Sequence, residues 1–147
     1  MNRFLRTDSA DYGATLVRIF LGLVMFPHGA QKLFGWFGGY GFSGTMGFFT
    51  EQMGVPAILA FLVIIAESFG AIAGVLTRLS GIGIAAVMAV AAVIRAPNGF
   101  FMNWDGSQAG EGYEYHLLML GMAIAVIIRR GGAFSADTTL NRALNTR

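Results

Sequence analysis

Three side chains in the first apolar stretch of the chain could do chemistry that a lipid-facing helix does not need. Arg18, His28 and Lys32 lie within residues 14–36, ATLVRIFLGLVMFPHGAQKLFGW, a run long enough to cross a bilayer. An unpartnered charge inside such a span costs at least ~2.5 kcal/mol, so the cations need acids or a ligand around them. Glu67, in the middle of the second apolar run, is the one acid deep in a helix, and it is expected to pair with Lys32, His28 or Arg18. Arg95, Glu114 and His116 fall at the ends of later runs, with Glu114 placed to meet Arg95 or Lys32. Histidine and lysine can donate hydrogen bonds to a polar headgroup, and a glutamate can exchange protons with it. Ion pairs kept only to hold a bundle together are weak stabilisers, whereas intramembrane charges commonly mark a ligand, proton or redox path. His28 and His116, at similar depth, also fit axial ligation of a haem. The two histidines with Glu67 fit a metal site less well, and no metal is assigned.

The elements that must position these groups are four apolar segments at about residues 14–36, 57–77, 79–96 and 113–130, the last being short for a span. A spanning helix takes about 20 residues. Pro56 precedes the second segment, and Pro97 with Asn98-Gly99 stops the third. Arg3, Arg6, Arg78, Arg129, Arg130, Arg142 and Arg147 share one side of a four-pass arrangement, while residues 37–55 and 97–112 contain no Lys or Arg. Positive residues collect on the cytoplasmic side. The expected fold is therefore an all-α integral membrane four-helix bundle with both termini cytoplasmic, a single membrane domain over residues 1–147.

At about 100° per residue, Arg18, Gly22, Met25, Gly29 and Lys32 fall within about 80° of one another, with His28 at the edge of that face. The rise of about 1.5 Å per residue puts Arg18 roughly 6 Å inside the cytoplasmic edge, His28 just past the middle and Lys32 roughly 6 Å from the outer edge. Glu67 falls near the midplane, so the ionisable groups concentrate in the outer half. Pro27 frees a backbone carbonyl there, a kink that neighbouring groups or water can satisfy.

Small residues recur every four positions, Ala66, Gly70 and Gly74 on the second segment and Gly81, Ala85 and Ala89 on the third. Such stripes let helices approach closely where lipid supplies no hydrophobic drive. With only Arg78 between them, these two segments are expected to form a tight hairpin. The outer loops are rich in glycine and aromatic rings, and Trp36, Phe37, Tyr40, Phe48, Phe49, Phe100, Phe101, Trp104, Tyr113 and Tyr115 suit the headgroup level. Residues 43–53 read as a short helix on the surface. Gly39, Gly41 and Gly44 satisfy G-x-G-x-x-G, but that spacing signals a dinucleotide only between a strand and a helix; here it is a coincidence of composition.

A composition 55% hydrophobic and 12% charged is that of a membrane chain, with a mean hydropathy of +0.62. Ten cations spread singly form no basic patch, which excludes nucleic acid. The absence of cysteine excludes thiol relays, iron-sulfur clusters and thiolate zinc sites. The basic, then apolar N-terminus resembles a signal peptide, yet its apolar run is too long and lacks a small-residue cleavage site, so it is expected to stay uncleaved.

The run LVRIFLGLVMFPHGAQKLFG, above all His28-Gly29 with Lys32-Leu33-Phe34-Gly35, resembles the signature of the DoxX family of small four-helix membrane proteins. So do residues 37–49, Glu67, Gly112-Tyr113-Glu114-Tyr115 and the closing GGAFSAD, which departs from the family form at Ala133 and Ala136. The resemblance implies the fold, a bacterial inner-membrane location and a link to quinone, since the wider family includes membrane subunits of thiosulfate:quinone oxidoreductases. The expected function is a quinone-binding membrane component of an oxidoreductase system. In it His28, Lys32 and Glu67 are catalytic, Arg18, Arg95, Glu114 and His116 bind the ligand, and electrons come from a soluble or membrane redox partner protein. The rival is a non-catalytic carrier or scaffold for lipid, small molecules or complex assembly, which as a carrier would call for a homo-oligomer because four helices are few for alternating access.

Overall fold

A computed structural model describes residues 8, 10–65, 67, 68, 73, 74 and 76–145. Among these residues every regular element is helical and no strand forms. The first helix, α1 (Tyr12–Phe34), begins where the Asp11 carboxylate accepts from the Ala14 N–H at 2.9 Å, which satisfies an otherwise orphaned donor. It runs through Pro27 without interruption and stops at Gly35, whose φ of 73° is a conformation glycine adopts freely. A short helix, α2 (Gly41–Gly47), continues into a wider turn at Phe48–Gln52, in the place of the expected surface helix. Then come α3 (Ala57–Ile65), α4 (Thr77–Arg95), α5 (Glu114–Arg129) and α6 (Ala136–Asn145).

Two stretches, Tyr12–Phe34 and Thr77–Asn98, are long and apolar enough to cross a membrane. The sixteen residues of α5 reach only about 24 Å, short of the ~30 Å hydrocarbon core. The boundary between the second and third segments differs from the sequence reading. Thr77 and Arg78 belong to α4, and Leu76 precedes them in a left-handed conformation with φ 44°. The reason is the Asp137 carboxylate, which fixes the first N–H groups of α4 from the far end of the chain. Ala66 and Gly70 of the small-residue stripe, and Arg3, Arg6 and Arg147 of the charge asymmetry, lie outside the described residues.

The core joins α1, α4 and α5 through Leu21, Met25, Ile84, Met88, Met119, Ala123 and Val126. Gly81 permits the contact between α4 and α5, because a Cβ there would stand 3.0 Å from Ile127 and 3.3 Å from the Ala123 carbonyl. The outward faces are apolar as well, with Leu16, Phe20 and Leu23 on α1 and Leu79, Ile82 and Val93 on α4 exposed. Charged Arg18 and Glu67, by contrast, are each 2% exposed. Apolar residues outside and polar ones inside are the arrangement a lipid solvent selects.

Candidate functional site

Two buried polar clusters flank this core, one at each end of α1. The cluster near its C-terminal end begins with Gly29. A Cβ at this position would collide with the backbone of Glu67 and Ser68, so only glycine lets that segment lie against α1. The approach carries the Glu67 carboxylate to Lys32, one turn beyond His28, and Lys32 Nζ donates to Glu67 Oε2. Of the partners open to Glu67 in sequence, Lys32 is the one it meets. The Glu67 side chain is fully buried and that of Lys32 is 26% exposed.

From α5, Tyr115 and His116 complete the cluster. The Tyr115 ring stands 6.5 Å from the His28 ring and 5.4 Å from that of His116, centroid to centroid. Glu67 lies within electrostatic reach of both Tyr115 and His28, and Arg95, exposed at the end of α4, is within reach of His116. His28 is itself exposed on the side of α1, so the cluster grades from an open flank at His28 to the enclosed carboxylate of Glu67.

Three buried side-chain atoms here have no hydrogen-bond partner: Glu67 Oε1, the Tyr115 hydroxyl and His116 Nδ1. The Gly112 backbone lies beside the His116 ring. Among the described residues these are the buried side-chain polar atoms left without a partner, and all three fall in one place. An unsatisfied buried polar group costs ~1–3 kcal/mol, more when charged. Their concentration is what a site made for a polar ligand or water leaves behind.

The cluster at the start of α1 is closed. Arg18 Nε donates to the Gly131 carbonyl at 2.9 Å and Thr15 Oγ1 to the Ala133 carbonyl at 2.9 Å. The Asp137 carboxylate accepts from the N–H groups of Leu76 and Thr77 at 2.7 and 2.8 Å and from the Thr77 hydroxyl at 2.7 Å. Arg18 and Asp137 attract one another across this knot, and a Cβ on Gly74 would meet Arg18 and Ser135 at 2.9 Å. On its rim, Arg129 bonds Asp11 at 2.7 Å. The Asp11 carboxyl is held below its usual range by the Ala14 N–H first and by Arg129 second.

The sequence-predicted site residues therefore divide. His28, Lys32, Glu67 and His116 come together, with Arg95 at their edge. Arg18 does not join them: ten residues earlier on α1, it is about 15 Å away along the axis and is engaged with the chain's own tail. Glu114 meets neither Arg95 nor Lys32 as expected. Its Oε1 accepts from the Met102 N–H at 2.9 Å and from Trp104 Nε1 at 3.1 Å, which pins the loop between α4 and α5 to the start of α5. Sequence reasoning missed Tyr115, which it set among headgroup aromatics. The signal that could have found it is register, since Tyr115 leads the buried stripe Met119, Ala123 and Val126, while Glu114 leads the exposed one through Leu118 and Gly121.

Lys32 and Glu67 meet with no hollow between them. Two apolar grooves, of about 470 and 250 Å³, run instead along the seam of α1 and α5, sharing Val17 and Ala125, and neither is lined by Lys32 or Glu67. No group of three His, Asp or Glu side chains converges among the described residues.

The family model described as DoxX matches residues 13–97, more than half of the chain. The match takes in Arg18, His28, Lys32, Glu67 and Arg95 and stops before Glu114, Tyr115 and His116. No curated protein sequence and no solved structure matches the chain. The two apolar helices and the family match together mark a membrane protein.

Proposed function

The chain belongs to the DoxX family, and from that premise we propose that it is a multi-pass protein of the bacterial inner membrane that binds a quinone-type headgroup, as one component of an oxidoreductase system. Its four apolar segments form one membrane bundle. The end holding Arg78, Arg129 and Arg130 faces the cytoplasm, and the loops with Glu51, Asp105 and Glu111 face outward.

The observation that carries this reading is the set of three unpartnered buried atoms beside the Lys32–Glu67 pair. A quinone-type ring offers oxygens at opposite edges, and when bound it carries two electrons and two protons between partners. Lys32, with donors beyond the one given to Glu67, holds a ring oxygen. His28, on the open flank, orients the ring where it arrives from the lipid, and Glu67 exchanges protons at Oε1 with Lys32 balancing its charge. His116 supplies a second polar edge, and Arg95 keeps the potential there positive. We assign Arg18 and Glu114 to holding the tail and the outer loop rather than to the ligand. Haem is the weaker cofactor, because Tyr115 already occupies the space beside both histidine rings. Electrons come from a partner protein.

Mass spectrometry of the protein purified in mild detergent tests the assignment. Wild type carries quinone in stoichiometric amount and Lys32→Ala loses most of it; equal quinone in the two, or none in wild type, rules the assignment out.

A further inference from the structure

We propose that this site is built for the reduced, dihydroxy form of the ring, that Glu67 Oε1 is the atom that distinguishes it, and that Tyr115 is its second contact. The inference rests on the reading of the cluster as a quinone site and adds which form it holds.

Donors and acceptors in the cluster decide which form fits. Glu67, paired with Lys32, is a carboxylate, and a carboxylate only accepts. Its Oε1 is buried and accepts no hydrogen bond. A quinone carbonyl is also only an acceptor. Set against Oε1 it adds a second unsatisfied oxygen and repels the first, whereas a phenolic hydroxyl donates to Oε1 and relieves it. The other groups of the cluster do not discriminate in this way. Lys32 and the Tyr115 hydroxyl can both donate to an oxygen of either form, and the Tyr115 hydroxyl can also accept. Tyr115 qualifies as a contact because its hydroxyl is buried, unpartnered and within electrostatic reach of Glu67, while its ring lies against His28 on the open flank. Glu67 and Tyr115 approach from different segments of the chain, so a ligand bridging them also ties the Glu67 segment to α5.

A site whose polar group is left unpaired by the wrong ligand discriminates strongly. The test is a binding series on the full chain in detergent under argon, using a decyl-tailed benzoquinone, its hydroquinone and the dimethyl ether of that hydroquinone. Wild type should bind the hydroquinone at least about tenfold more tightly than either of the others. Glu67→Gln, whose amide can donate, should erase that preference. Tyr115→Phe should weaken hydroquinone binding about three- to tenfold while leaving the order of the three ligands intact. The wild-type series needs no variant, so a poorly folding Glu67→Gln does not block the answer. If the quinone or the dimethyl ether binds as tightly as the hydroquinone, the inference fails and the quinone site stands. If none of the three binds, both fall.

Discussion

The two ends of α1 carry buried charge of the same kind and finish it in opposite ways. Near its start, the guanidinium of Arg18 and the carboxylate of Asp137 are surrounded by backbone groups and hydroxyls of the same chain, from Thr15, Thr77, Gly131 and Ala133. Near its end, the ammonium of Lys32 and the carboxylate of Glu67 meet each other directly, yet Glu67, Tyr115 and His116 each keep an atom without a partner. A buried polar network that closes on itself fixes structure. One that stops short by three atoms costs stability in the free protein and gains it back when something else binds. The contrast separates a clamp from a site although both are built around charges a membrane disfavours.

The largest expected effect breaks the pair in the open cluster. Lys32→Met leaves Glu67 buried without its counter-charge and should cost ~3–5 kcal/mol of stability, read as a fall in thermal midpoint in detergent. The double variant Lys32→Met with Glu67→Gln should recover most of that loss and still bind no quinone, which divides the pair's structural part from its ligand part.

Gly29→Ala should come next. Its methyl pushes the Glu67–Ser68 backbone off α1 and should cost ~1–3 kcal/mol, with ligand binding reduced as well. Asp137→Ala, in the clamp, removes the acceptor of the first N–H groups of α4 and the charge facing buried Arg18, and should cost at least ~1–2 kcal/mol. Quinone content per folded molecule should remain unchanged, and a matching loss of quinone would erase the distinction between the two ends.

Tyr115→Phe should barely move stability, by less than ~0.5 kcal/mol in either direction, because the hydroxyl it deletes is unsatisfied in the free protein. The same change in the clamp's Thr77, to Val, should be clearly destabilising because its hydroxyl is engaged. The smallest effect concerns the clamp's exposed rim. The Asp11 carboxyl is held below 3.8 in the folded protein, so its contribution to stability is present above that value and is lost as pH falls through the lower, folded value. Asp11→Asn should therefore differ from wild type in thermal midpoint at pH 7 and converge with it as the buffer is taken well below pH 4.

How much of this contrast could be read from the residues alone depends on what each end is made of. The Lys32–Glu67 pair was legible as one of three pairings open to Glu67, because an acid and a base inside apolar runs have few alternatives, and helical register set Gly29 and Lys32 on one face of α1. The family signature lies in the same stretch. The clamp was not legible, because its partners are backbone carbonyls at Gly131 and Ala133 and N–H groups at Leu76 and Thr77, which carry no side-chain signal. The tail GGAFSAD looked like a departure from a pattern; in the fold, Asp137 closes the start of α4 and the tail carbonyls bind α1. Glu114 was misread for a related reason, since its partners are a loop N–H and an indole twelve and ten positions away. Tyr115 looked like an anchor because an aromatic at a helix start fits an interface until packing shows which way it turns.

The open end of α1, and not the clamp, is proposed to receive the ligand. Photolabelling with an azide-bearing quinone, followed by peptide mapping, tests this most directly. Label is expected on the peptides holding His28 to Phe34 and Tyr113 to Met119, suppressed by excess unlabelled quinone and absent in Lys32→Ala. Label confined to the tail around Gly131 to Asp137, or spread over the outward faces of α1 and α4 and unaffected by competitor, would contradict it.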